Sequence, residues 1–404
     1  MQQHSNLDAM CKQTFYVIGM TDGQETSFPD EVRERLAQGK VFSGGKRHRE
    51  IVSPLLPEGV SWIDITVPLD SVFAQYEGHP EIVVFASGDP LFYGFAATLQ
   101  RRMPEARLVV YPTFHSLQLL AHRLLLPYQD LHPVSLTGRP WNELDEALIS
   151  GERLIGVLTD RRKTPAAIAR RLLDYGYDNY RMLLGERLGH AAKERVRKLQ
   201  LSEAATAETG FPNCLLLERT ALRPRPFGLP ESEFHLLDGR VNMITKMPIR
   251  LLTLSQLDLR HRHTFWDIGF CTGSVSIEAK LQFPHLQVVA FEQREEGREL
   301  IEQNARKFGT PGIQALIGDF LEANLSELPR PEAVFIGGHG GRLADLLRRV
   351  DEALLPGGVI VFNSVSADSL RLFEESLVPL HRRVTRRLAV TVDSFNPITI
   401  LKAE

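Results

Sequence analysis

Short apolar runs rich in β-branched and aromatic residues recur along the chain with helix-forming stretches between them. That alternation predicts an α/β fold with mostly parallel sheets. In the first half the runs are Phe15 to Met20, Ile82 to Ser87, Arg107 to Tyr111, Leu154 to Thr159 and Cys214 to Leu217. The pattern breaks at residues 223–230, Arg-Pro-Arg-Pro-Phe-Gly-Leu-Pro, where three prolines favour extended backbone and mark a linker. A second series follows: Thr264 to Ile268, Gln287 to Phe291, Ile313 to Ile317, Ala333 to Ile336, Val359 to Phe362, Val384 to Val392 and Ile398 to Leu401. Seven strands, the last two close in sequence, predict a Rossmann-like sheet ending in an antiparallel hairpin. Between them Glu296 to Phe308 reads as a helix, with Leu300, Ile301, Ala305 and Phe308 on one face and Gly309 as its stop. At 404 residues the chain is too long for one core, so domains are expected at 13–222 and 231–404 with the linker at 223–230.

Charge and cysteine content narrow the function. The chain carries 47 Lys+Arg against 50 Asp+Glu, which offers no basic stripe for duplex nucleic acid. Cys11, Cys214 and Cys271 lie far apart, so neither a disulfide framework nor a zinc site is expected, and no metal is called for. Met1 to Gln13 lacks the apolar core of a signal peptide, and no run of about 18 apolar residues exists to span a bilayer. The expected compartment is the cytoplasm, with no membrane partner.

The chemistry-bearing feature of the second half is Asp267-Ile268-Gly269-Phe270-Cys271-Thr272-Gly273-Ser274. Here a strand ends near an acidic residue, glycines let the backbone approach a ligand, and a helix start at Ser274 offers unpaired N–H groups. Glu292, ending the next strand, is placed for ribose hydroxyls, and Asp319 after the third strand for an adenine. Acidic residues at these positions favour ribose hydroxyls over a phosphate, and the seven-strand count favours S-adenosylmethionine over a dinucleotide. Cys271 occupies the middle glycine position of the usual turn and narrows the cofactor approach unless its φ is negative. Its expected role is that of a small residue tolerated beside the ligand, rather than a reactive thiol.

These residues carry a resemblance. Residues 228–234 (Gly-Leu-Pro-Glu-Ser-Glu-Phe), Ile244-Thr245-Lys246, Trp266 to Glu278 and Phe335 to Gly341 resemble the decarboxylating precorrin methyltransferases of vitamin B12 synthesis. The first half resembles the tetrapyrrole methylases, which implies a two-lobed fold. Its matching segments are Val17 to Gly23, Gly44 to His48, Ala86 to Gly94, Tyr111 to Gln118 and Thr159-Asp160 with Lys163 to Ala166. Departures are Asp22-Gly23 in place of Gly-Pro-Gly, His115-Ser116 in place of a serine pair, and Met247 to Arg250 where the family has an acidic residue.

The resemblance implies methylation of carbons 5 and 15 of a corrin precursor, loss of carbon dioxide from an acetate arm, one S-adenosylmethionine site per domain and a homo-oligomer. It implies a first cofactor site at Gly88, Asp89, Pro90, Thr113 and Ser116, with Asp22 beside the substrate. A polycarboxylate substrate calls for cations, and Lys46, Arg47, Arg250 and Arg342 are the candidates. Thr245, Lys246 and His339 are expected to flank the arm that loses carbon dioxide. Two other readings are an RNA methyltransferase, and a chain whose second domain is a non-catalytic binding module because Cys271 spoils its site. The Gly337-Gly338-His339-Gly340 sequence after the fourth strand argues against amino-group methylation.

Overall fold

A computed structural model describes residues 13–21, 23, 28–240, 243–393 and 397–404. Its strands form three sheets. The first contains β1 (Thr14–Met20), β2 (Val41–Gly44), β3 (Ser61–Asp64), β4 (Glu81–Ser87) and β5 (Arg107–Tyr111), in the order β3-β2-β4-β1-β5. Its four strand pairings, β1/β4, β1/β5, β2/β3 and β2/β4, are parallel. The second contains β6 (Leu131–Ser135), β7 (Leu154–Leu158), β8 (Tyr180–Glu186), β9 (Arg195–Gln200) and β10 (Asn213–Arg219), in the order β6-β7-β10-β8-β9.

This second sheet departs from the expected parallel pattern, because β10 runs antiparallel to β7 and β9 antiparallel to β8. Five strands of the first half escaped the sequence reading. β2 and β3 are only four residues long, β6 contains Pro133 on an edge, β8 carries Arg181 and Gly185 within its apolar run, and β9 is a half-exposed charged edge strand.

The third sheet has seven strands as expected: β11 (Thr264–Ile268), β12 (Gln287–Glu292), β13 (Ile313–Ile317), β14 (Ala333–Ile336), β15 (Val359–Ser364), β16 (Val384–Val390) and β17 (Ile398–Ala403). Their order is β13-β12-β11-β14-β15-β17-β16, with β11 to β15 parallel and β16/β17 an antiparallel hairpin. The central strands are buried on both faces, which is why they read as continuous apolar runs. One face of the sheet packs Trp266, Ile268, Val334 and Ile336 against Leu343, Leu346, Leu347 and Val350. The other packs Phe265, Val288 and Phe335 against Ile249, Leu254, Val275 and Ala279. The helix Glu296–Phe308 has the expected bounds and closes on Gly309 at φ 68°.

The chain divides into two compact units. One comprises residues up to Thr137 with Arg153–Ile168 and Arg181–Glu218; the other comprises Gly138–Glu152, Ala169–Tyr180 and Arg219–Glu404. The second unit therefore takes in the helix Asn142–Ser150 and most of the helix Pro165–Asp174. Within it, Tyr177 Oη donates to Gly309 O at 2.6 Å, and burial raises its phenol pKa, countered by Arg223. Among the described residues no helix is long and apolar enough to cross a membrane.

Candidate functional site

Asp267 lies one residue before the end of β11 and is fully buried. By strand alternation it shares the face of Phe265, beneath the helix Ser274–Gln282. Its Oδ2 accepts Ser276 N at 3.1 Å and Ser276 Oγ at 2.6 Å, whereas its Oδ1 has no partner among the described residues. Burial pushes this carboxyl up to about 7, against the Ser276 hydrogen bonds that favour its charge and with a small push from Glu292. The buried Thr272 Oγ1 is also without a partner.

Gly269 sits at φ 78°, and a Cβ there would lie 2.7 Å from Gly338 N. Main chain thus meets main chain between the turn and the Gly337–Gly341 loop, where Gly337 N donates to Ile268 O at 2.8 Å. Asn304, also fully buried, holds the far side of the turn by donating to Thr272 O at 2.9 Å.

Around this turn lies a cavity of about 890 Å³ lined by Asp267, Gly269, Cys271, Ser274, Glu292 and Asp319. Thr245, Lys246, His339 and Arg342 also line it, so the structure brings these sequence candidates together. Gly273 at φ 75° caps the helix that begins at Ser274. An orphaned carboxylate oxygen and an orphaned hydroxyl beside a glycine cradle fit a ligand that brings hydrogen-bond donors and positive charge to Asp267. S-adenosylmethionine, with an ammonium and a sulfonium, meets that requirement.

Cys271 has φ 51°, the left-handed region, so the chain does place a side chain where a glycine is the easy choice. Its N–H donates to Glu292 Oε2 at 2.9 Å, and burial raises its thiol, which argues against a reactive thiolate. Glu292 is itself clamped: Arg294 Nε reaches Oε1 and Arg294 Nη2 reaches Oε2, both at 2.9 Å, and Arg294 N donates to Oε1 at 3.1 Å. Burial alone would raise the Glu292 carboxyl, but the Arg294 hydrogen bonds outweigh it and hold it low. Asp319 accepts Arg342 Nη1 at 2.9 Å, so these two candidates are partners of each other in this state.

Lys246, directly after Thr245, caps the helix Met247–Leu257, and both line the cavity. His339 Nδ1 accepts Gly341 N at 3.2 Å, and burial lowers its pKa, so the neutral ring carries its proton on Nε2. Arg250 corrects the sequence reading. Expected at a substrate carboxylate, it is fully buried, with Nε 3.3 Å from Glu278 Oε2 and Nη1 donating to Thr245 O at 2.8 Å. Its guanidinium bonds the main chain of Leu229 and Thr245, and Arg250 is not among the residues that line the cavity. Sequence reasoning missed Glu278, Arg294, Asn304 and Asn363. Asn363, at the end of β15, lines the cavity and bonds Thr253 Oγ1.

In the first unit Gly19, at the end of β1, touches Gly88 and Thr113: a Cβ on Gly19 would lie 2.4 Å from Gly88 O and 3.1 Å from Thr113 N. The Gly88-Asp89-Pro90 turn and the Thr113–Ser116 loop therefore converge on β1. Asp89 Oδ1 accepts Leu91 N at 2.9 Å, and Ser116 contacts the buried Cys214 thiol. His115 stacks on Phe92 at 3.8 Å and caps the helix Ser116–Leu124, and burial lowers it to about 4. Arg47 donates to Ser87 Oγ at 3.0 Å, His48 Nε2 lies 2.9 Å from the same oxygen, and Lys46 is exposed. Asp22 lies outside the described residues.

Residues 14–205 match the tetrapyrrole (corrin/porphyrin) methylases, and residues 236–398 match the precorrin methyltransferase domain. A Sinorhizobium protein named precorrin-6Y C(5,15)-methyltransferase (decarboxylating) is 34% identical over 91% of this chain and 87% of its own. A Salmonella typhimurium protein named cobalt-precorrin-6B C(15)-methyltransferase (decarboxylating) is 39% identical over 33% of this chain and 68% of its own. A solved structure from Geobacter metallireducens described as precorrin-6y C5,15-methyltransferase is 34% identical, covers 45% of this chain and 99% of that one, and has a TM-score of 0.42.

Proposed function

The chain belongs to the family of decarboxylating precorrin-6Y C(5,15)-methyltransferases, and from that premise we propose that its halves divide the work on one corrin precursor. The first half methylates one of the two meso carbons, 5 or 15. The second methylates the other and removes carbon dioxide from the ring C acetate arm, turning precorrin-6B, or its cobalt form, into precorrin-8. S-adenosylmethionine, one molecule per half, supplies an activated methyl group. The observation that carries this reading is the orphaned Asp267 Oδ1 at a cavity whose lining brings the glycine turn together with Thr245 and Lys246.

The protein's task is chiefly alignment, since the methyl donor is already activated and the macrocycle is the nucleophile. Glycines 269 and 273 admit the cofactor, Asp267 and Glu292 orient it, and the Gly337–Gly341 loop closes over it. For decarboxylation the conjugated macrocycle takes the electron pair of the breaking bond, so the protein must hold the acetate oriented and shielded from water. Lys246, Thr245 and the Nε2–H of His339 are the groups proposed to do this, with Arg342 and, in the first half, Asp22, Lys46 and Arg47 pairing other carboxylates. As part of the same proposal the protein works in the cytoplasm as a homo-oligomer, with no nucleic-acid or membrane partner; the near balance of charge supports this.

Mass spectrometry of the product from a metal-free precorrin and S-adenosylmethionine tests the reading. Two added methyl groups and one lost carbon dioxide are expected; a single methyl with no loss of carbon dioxide sinks the assignment of the second half. Lys246→Ala is expected to lose decarboxylation, and a wild-type rate in that variant removes the role given to Lys246.

A further inference from the structure

Arg250 and Glu278 form an ion pair in which neither side chain is exposed. A buried pair of this kind stabilises weakly against an apolar replacement of the same size, because desolvation cancels much of the attraction; its best-supported use is to fix register. The contacts of this pair state what register is fixed. Glu278 Oε1 accepts Gly228 N and Oε2 accepts Leu229 N, both at 2.9 Å. Arg250 donates from Nη1 to Thr245 O at 2.8 Å and from Nη2 to Leu229 O, while its own N–H bonds Lys246 O at 2.8 Å. The ring of Phe234 covers the guanidinium, 5.2 Å from its centroid.

Glu278 stands one helical turn after Ser274, on the helix that the cofactor turn begins. One guanidinium and one carboxylate therefore tie the main chain at Thr245, the linker at Gly228-Leu229 and the helix Ser274–Gln282 into a single unit. We propose that Arg250 and Glu278 are positioning residues that hold Thr245 and Lys246 at a fixed distance from the cofactor turn, so that loss of their geometry uncouples decarboxylation from cofactor binding. This rests on the function proposed above, and it concerns residues that touch neither cofactor nor substrate.

The test uses the full chain. Wild-type product with two methyl groups and one lost carbon dioxide establishes the underlying reading, so its failure is seen separately. Arg250→Lys keeps the charge opposite Glu278 but replaces a rigid fork, whose three nitrogens each reach a different acceptor, with one nitrogen on a flexible stem. The expected variant is folded by circular dichroism and binds S-adenosylhomocysteine within about threefold of wild type. Its kcat for carbon dioxide release falls by on the order of tenfold to a hundredfold with little change in KM, as a small misplacement produces. Product that keeps its full set of carboxylates and carries the methyl of the first half accumulates, since the first half is untouched.

Glu278→Gln keeps an acceptor for Gly228 or Leu229 and is the second variant should Arg250→Lys fail to fold; the same pattern is expected. A folded Arg250→Lys or Glu278→Gln enzyme with wild-type carbon dioxide release overturns the proposal. So does one in which cofactor affinity falls in step with decarboxylation, because the pair then merely supports the cofactor turn.

Discussion

At the scale of single residues, the cofactor turn is built around acceptors that lack donors. Asp267 is the clearest case, since burial lifts its carboxyl from 3.8 to about 7. Below about pH 4 it is protonated folded or unfolded, whereas between there and about 7 the folded chain keeps a proton that the unfolded chain releases. Stability from this group therefore falls as pH rises through that window and stays low above it. Asp267→Asn is expected to raise Tm relative to wild type more at pH 8 than at pH 5, as thermal unfolding followed by circular dichroism reads. A cationic cofactor favours the ionised carboxylate, so S-adenosylmethionine affinity by calorimetry should rise with pH through about 7 in the wild type and lose that rise in Asp267→Asn. Glu292 poses the opposite problem. The Arg294 and Cys271 donors already fill the four sites a carboxylate offers, so ribose hydroxyls must displace the Arg294 side chain. Arg294→Met is expected to tighten S-adenosylhomocysteine binding several-fold, on the order of 1 kcal/mol, because the two charge-assisted bonds of the Arg294 side chain no longer have to be given up; weaker binding would mean that Arg294 prepares Glu292 rather than competing for it.

At the scale of elements, the turn and the Gly337–Gly341 loop are one structure made of two strand ends. Gly269→Ala puts a Cβ 2.7 Å from Gly338 N at a positive φ, and backbone cannot yield as a flexible side chain does. The expected cost is about 1 to 3 kcal/mol in the second half, with cofactor binding there lost, which calorimetry on the full chain measures. Much of this was legible in the sequence. Parallel strands buried on both faces are largely apolar, so β11, β12 and β14 could be read with little error, and the ends of β11 and β12 located Asp267 and Glu292; β13 lies on the sheet edge with Gln314 exposed and was legible from its remaining apolar residues. Arg250 could not be read, because an arginine early in a helix looks the same whether it faces a cavity or folds back onto Thr245 O. Its inward course depends on Glu278, a residue on another helix that no local pattern links to it. β9 was missed for a related reason. An edge strand beside solvent tolerates Arg195, Arg197 and Lys198, and so carries no apolar run.

For the whole molecule, the two halves build their glycine contacts by different means. The second half brings a glycine turn against a glycine loop; the first brings Gly19 of β1 against the Gly88 carbonyl and Thr113. If each half is a methyl-transfer site, damage to one cradle should leave the other working. Gly19→Ala, whose Cβ would lie 2.4 Å from Gly88 O, is expected to abolish the methyl transfer of the first half. Gly269→Ala is expected to abolish the transfer and the carbon dioxide loss of the second. Mass spectrometry of products from each variant, and from the two mixed together, separates independent from ordered action. If the mixture restores the doubly methylated, decarboxylated product, the intermediate leaves one site and is taken up by the other. If Gly19→Ala alone blocks all turnover while still binding S-adenosylhomocysteine at its second half, methylation by the first half is a prerequisite for the second. The two outcomes differ in what the fused chain contributes: in the first the fusion raises only local concentration, and in the second it enforces a sequence of events on one substrate.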